Sequence, residues 1–76
     1  MPSGPLTSFS LGQCVTVQSL PPTTGIVLRL RELNIHEGLT FIIVLKTQNG
    51  TGINVDRCRV FLNRAIADLI LVEPKT

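Results

Sequence analysis

With 76 residues, 43% of them hydrophobic and 16% charged, and a net charge of +2, the chain has room for one domain and one core. Its seven Lys and Arg are too sparse for a duplex-binding protein, and its longest apolar run, Phe41 to Leu45, falls far short of the roughly 20 residues of a membrane-spanning helix. So apolar a composition cannot all fit inside so small a body, and a contiguous apolar patch left on the surface marks a partner site.

Residues 1–10 are rich in Pro, Ser, Thr and Gly and read as a loose lead-in, with Leu6, Phe9 and Leu11 as a short apolar clip that tucks under the rest of the fold. No basic residue precedes an apolar stretch there, so no secretory signal is expected and the chain is read as cytosolic. Residues 11–76 form the expected single domain. A first strand runs through Cys14, Val15, Thr16 and Val17, and Pro21-Pro22 stops it. Thr23 or Thr24 can cap a helix whose Ile26, Leu30 and Leu33 recur at helical spacing, which predicts that these three face the core. Asn34 suits the end of that helix because asparagine tolerates the left-handed conformation. Ile35 to Gly38 then reads as a turn.

Leu39 to Thr47 is the strongest strand, with Phe41, Ile43 and Leu45 on one face and Ile42 and Val44 on the other. Gln48 to Gly52 reads as a hairpin connection, with Asn49-Gly50 as its signal. Two further β segments follow, Ile53 to Asp56 and Arg57 to Leu62, bending near Asp56-Arg57. Asn63 is a good cap for one helical turn over Arg64 to Asp68, and Leu69 to Val72 closes the chain before Pro74. The expected fold is mainly β: a small SH3-like β-barrel of about five strands, with one helix after the first strand and a short helical turn before the last.

No motif carries catalysis. The sequence has no GxxxxGK[ST], GxSxG or HExxH, and a single histidine, His36, on a turn, so an enzyme is not expected. Cys14 and Cys58 stand in no CxxC spacing and read as packing thiols. His36 and Glu37 are adjacent and could approach Cys14, Cys58, Asp56 and Glu73, which makes metal binding the alternative reading; their place on a solvated turn favours a plain polar role. No cofactor or metal ligand is assigned. Nucleic-acid binding is not expected either, since stacking platforms are scarce: there is no Trp or Tyr and only three Phe.

The segments LRLRELNIHEG (Leu28 to Gly38) and INVDRCRVFLNRAIADLILVE (Ile53 to Glu73), with the opening PLTSFSLGQCVTV, resemble the FeoA family in order and spacing over Leu6 to Glu73. Asn34 stands where the family usually has glycine, and the Gln48 to Gly52 loop departs from its usual Gly-Asp-Pro character. The resemblance implies an SH3-like fold and a cytosolic accessory or regulatory protein of ferrous iron uptake, working with the membrane iron importer FeoB. The residues expected to make that contact are Leu28, Arg29 and Arg31 on the helix and Arg57, Arg59 and Phe61 on the later hairpin. An apolar surface mixed with arginine has the composition of interface anchors. Ile42 and Val44 are further candidate apolar contacts. Direct membrane insertion is not expected, and the sticky face leaves homo-oligomers open.

Overall fold

The computed structural model describes residues 3–21 and 24–75. Pro22 and the cap candidate Thr23 lie outside the described residues, as do the side chains of Thr24 and Ile26. Six antiparallel strands form one sheet: β1 (Gly4–Pro5), β2 (Cys14–Ser19), β3 (Thr40–Thr47), β4 (Gly50–Val55), β5 (Cys58–Asn63) and β6 (Leu71–Pro74). Helix α1 (Thr24–Glu32) follows β2, and the one-turn α2 (Arg64–Ala67) precedes β6. Strand order is β1-β6-β2-β3-β4-β5, an SH3-like arrangement in which β1 and β5 are the edges. The sheet curls without closing its hydrogen-bond ladder. The Leu6–Ser8 3-10 turn and α2 fill the gap, packing on each other and on β4, and α2 also packs on β5.

The lead-in is tied down from Gly4 onward. Gly4 and Pro5 pair with Val72 and Leu71, the Leu6 amide donates to Ile70 O at 2.9 Å, and the Leu6 side chain is sealed in the core. Phe9 packs on the same core, whereas Leu11 stays exposed. The expected loose segment is thus an edge strand and a plug, because Leu6 has apolar surface to bury and β6 has an open edge to offer.

Helix α1 ends as Asn34 allows. Asn34 takes φ 64°, its amide donates to Arg31 O at 2.9 Å, and the Ile35 amide donates to Leu30 O at 2.8 Å. These two bonds make a Schellman cap, whose accompanying apolar contact joins Leu30 and Ile35 in the core. One expectation is corrected here: Leu33 is 40% exposed instead of core-facing. Ile35, which opens the expected turn, is fully buried. The left-handed residue redirects the chain after one helical step, so Ile35 takes the inward place that periodicity assigns to Leu33.

Strand β3 carries the other correction. Ile43 opposes Ile53, but the next pair is Leu45 with Gly52, so two residues of β3 face one of β4. Such a bulge reverses the alternation beyond it. Leu45 therefore turns outward, 43% exposed, and Lys46 pairs with the buried Thr51 while its own side chain stays exposed. Phe41 and Ile43 lie in the core as expected, and Ile42 faces out.

Two turns complete the meander. Gln48-Asn49 joins β3 to β4, with Thr47 Oγ1 accepting from the amides of Asn49 (3.1 Å) and Gly50 (3.2 Å). Gly50 is needed for space, because a Cβ there would meet Leu62 O, Phe61 Cζ at 2.7 Å and Asn63 Cα at 2.9 Å. Asp56 and Arg57, both at positive φ, make the tight turn between β4 and β5 at the predicted bend. Asn63 caps α2 as its sequence suggests, its side chain accepting from the Ile66 amide at 3.0 Å.

Candidate functional site

Gly25, Arg29 and Leu33 recur four residues apart and so share one flank of α1 and its end. That flank faces Phe61, Leu62 and Asn63 of β5 and Ile66 of α2 across a groove of about 490 Å3. Leu30 and Leu62 form its floor, both buried. Phe61, 51% exposed, and Leu33 contribute apolar surface to the same groove, and Arg29 gives it a cation. Phe61 is turned outward by the strict alternation of β5, in which Val60 and Leu62 point inward.

Of the six expected contact residues, the groove unites two, Arg29 and Phe61. Arg59 lies two residues along β5 from Phe61 on the same face, opposite Asn54. Arg57 sits at the tip of the β4–β5 turn, exposed. Leu28 is 56% exposed but does not line the groove, and Arg31 borders a different hollow with Leu20, Asn34, His36 and Glu37. The helix therefore divides its exposed residues between two flanks. Leu33 and Ile66 are groove residues that periodicity concealed, the first by assigning it to the core; the repeat of Gly25, Arg29 and Leu33 is the signal that marks this flank.

On the outer face of the sheet, Ile42 lies between Cys14 of β2 and Asn54 of β4. Leu45 and Phe61 flank Gly52 in the neighbouring row. These three apolar side chains are each about half exposed. Val44 is half-buried.

The metal-binding candidates are dispersed. Cys14 is a half-buried free thiol on β2, and Cys58 is an exposed one beside the β4–β5 turn. His36 Nδ1 lies 3.0 Å from Glu37 O. Among the described residues, no three His, Cys, Asp or Glu side chains are grouped to hold a metal ion. No helix of the described residues is long and apolar enough to cross a membrane.

The comparisons with known proteins agree with this architecture. The structure of iron uptake regulatory protein FeoA superposes with a TM-score of 0.87 at 16% identity, over 99% of this chain and 100% of that one. A FeoA-like protein from Clostridium acetobutylicum gives 0.84 at 18% identity, over 97% and 88%. A manganese-dependent transcriptional repressor in complex with manganese gives 0.89 at 15% identity, over 99% of this chain but 38% of the repressor. No curated protein matches the sequence. The FeoA domain model matches residues 4–74, nearly the whole chain, and the chain belongs to the FeoA domain family.

Proposed function

We propose that this chain is a cytosolic, non-enzymatic accessory of ferrous iron uptake that docks on the cytosolic part of the importer FeoB. The family membership supports the association with ferrous iron transport. The observation that carries the docking reading is the groove in which Arg29 and Phe61 meet over an apolar floor. A partner side chain entering it would cover the exposed parts of Phe61 and Leu33, worth about 1 kcal/mol each. Arg29 would select for an acceptor beside that apolar anchor, and aromatic and arginine side chains are those enriched at interface hot spots. Arg59 extends the cationic border on the Phe61 side, while Leu28, Arg31 and Arg57 would act as peripheral contacts. Docking would shift the importer only through unequal contact with its conformations.

A second reading is favoured by one likeness: the same fold forms part of a repressor solved with manganese. In that reading the domain would sense a metal through His36, Glu37 and the cysteines. The scatter of those residues among the described ones supports docking over it.

Isothermal titration calorimetry with the purified cytosolic domain of FeoB tests the proposal. Saturable binding that Phe61→Asp weakens at least roughly tenfold is expected, because hot-spot truncation typically costs more than 1 kcal/mol. Absence of heat with the native chain, or equal affinity of the variant, would contradict it.

A further inference from the structure

We propose that the hollow between the Leu6–Ser8 turn, the β3–β4 hairpin and α2 binds a phosphate-type oxyanion. The hollow is about 370 Å3, and Lys46, Thr51 and Arg64 line it together with Thr7, Ser8, Thr47 and Gln48. It shares no lining residue with the apolar groove.

The donors there divide into committed and free. Ser8 Oγ donates to Pro5 O at 2.8 Å, Thr7 Oγ1 to Asp68 Oδ1, and Thr47 Oγ1 to Gly50 O at 3.3 Å. The Lys46 ammonium donates to Thr7 O at 2.8 Å and to Phe9 O, which leaves one of its three N–H groups. The Arg64 guanidinium and the Gln48 amide take part in no hydrogen bond among the described side chains.

Thr51 is 1% exposed, directly opposite Lys46 on β3 and Leu62 on β5, yet its hydroxyl has no hydrogen-bond partner among the described residues. No fully sealed side-chain oxygen or nitrogen among those residues lacks a partner, so this hydroxyl is not fully sealed, and it belongs to a residue that lines the hollow. A valine would keep the packing between Ile53 and Leu62, so the hydroxyl is what threonine adds to the hollow at this position.

Two cations with N–H groups to spare, one unpartnered hydroxyl and no lining carboxylate select an anionic acceptor. Phosphate supplies several acceptor oxygens, and charge-assisted bonds to Lys and Arg are the strong ones. The Asp68 carboxylate accepts from Thr7, a lining residue, but does not itself line the hollow. The volume admits a phosphoryl group carried on a small molecule as well as the free ion.

The test is a 15N–1H NMR titration of the whole chain with inorganic phosphate and, separately, glycerol 3-phosphate. Sodium chloride at matched ionic strength is the reference, and Arg64→Gln and Thr51→Val are the variants. Saturating shifts at Gln48, Thr51 and Arg64 are expected with at least one phosphate, the tighter identifying the preferred form. Half-saturation should rise roughly tenfold in Arg64→Gln and severalfold in Thr51→Val, the scale of one charged and one neutral hydrogen bond. Arg64 is exposed and Thr51→Val keeps side-chain volume, so both variants should fold. Shifts matched by chloride, no saturation with either phosphate, or unchanged half-saturation in either variant would overturn the proposal.

Discussion

Leu30 and Ile35 are joined by a backbone hydrogen bond of 2.8 Å, and both side chains lie in the same core cluster. The bond closes the helix only because Asn34 between them stands at φ 64°. Glycine holds that conformation without a Cβ penalty, and a residue lacking asparagine's local hydrogen bonding holds it poorly. Asn34→Gly should therefore leave stability unchanged or raise it by up to about 1 kcal/mol, and Asn34→Ala should lower it by about 1 kcal/mol. Urea denaturation of the three proteins decides this. Equal midpoints for alanine and glycine would mean that the cap contributes nothing.

The same cap separates two leucines that periodicity treats alike. Leu30 is 2% exposed and Leu33 is 40% exposed at the groove. Leu30→Ala should cost about 2–5 kcal/mol, whereas Leu33→Ala should cost less than about 1 kcal/mol. Thermal unfolding of the two variants measures the contrast, and comparable losses would show that Leu33 belongs to the core.

Lys46 owes its role to the bulge at Ile43–Leu45, which turns it toward Thr7 O and Phe9 O. Lys46→Met keeps much of the aliphatic stem but removes both bonds. A loss of about 1–2 kcal/mol is expected, reduced from the buried value because the side chain is exposed. Amide exchange should accelerate at Leu6 and Phe9, whose backbone bonds hold the 3-10 turn to the sheet and to itself. Native-like protection at both amides in the variant would leave Lys46 without a structural part.

The features legible in the sequence were local. The Asn63 cap, the Phe41–Ile43 alternation, the bend at Asp56-Arg57 and the left-handed Asn34 each depend on neighbours a few residues away. The inward side of Leu30 and the outward side of Leu28 come from helical spacing alone. Legibility failed where one residue shifts the phase of the segment after it. Asn34 substitutes Ile35 for Leu33 in the core, and the β3 bulge turns Leu45 out of it. It failed again where distant segments converge. Arg29 and Phe61 were both expected at a contact surface, but only the tertiary fold makes them line one groove, and Leu28 and Arg31 fall outside it. Lys46, Thr51 and Arg64 carry no motif, and the hollow they line exists only once the N-terminal turn is docked.

The central claim is that this FeoA-family domain is a docking module whose contact surface centres on the groove between α1 and β5. An NMR titration of the labelled chain with the cytosolic domain of FeoB, with ferrous iron as a parallel titrant, tests it most directly. The account predicts saturable shifts at Arg29, Leu33, Phe61 and Ile66 with the importer domain, and none there with iron alone. Shifts at Cys14, His36 and Glu37 with iron, and none at the groove with the importer domain, would contradict it.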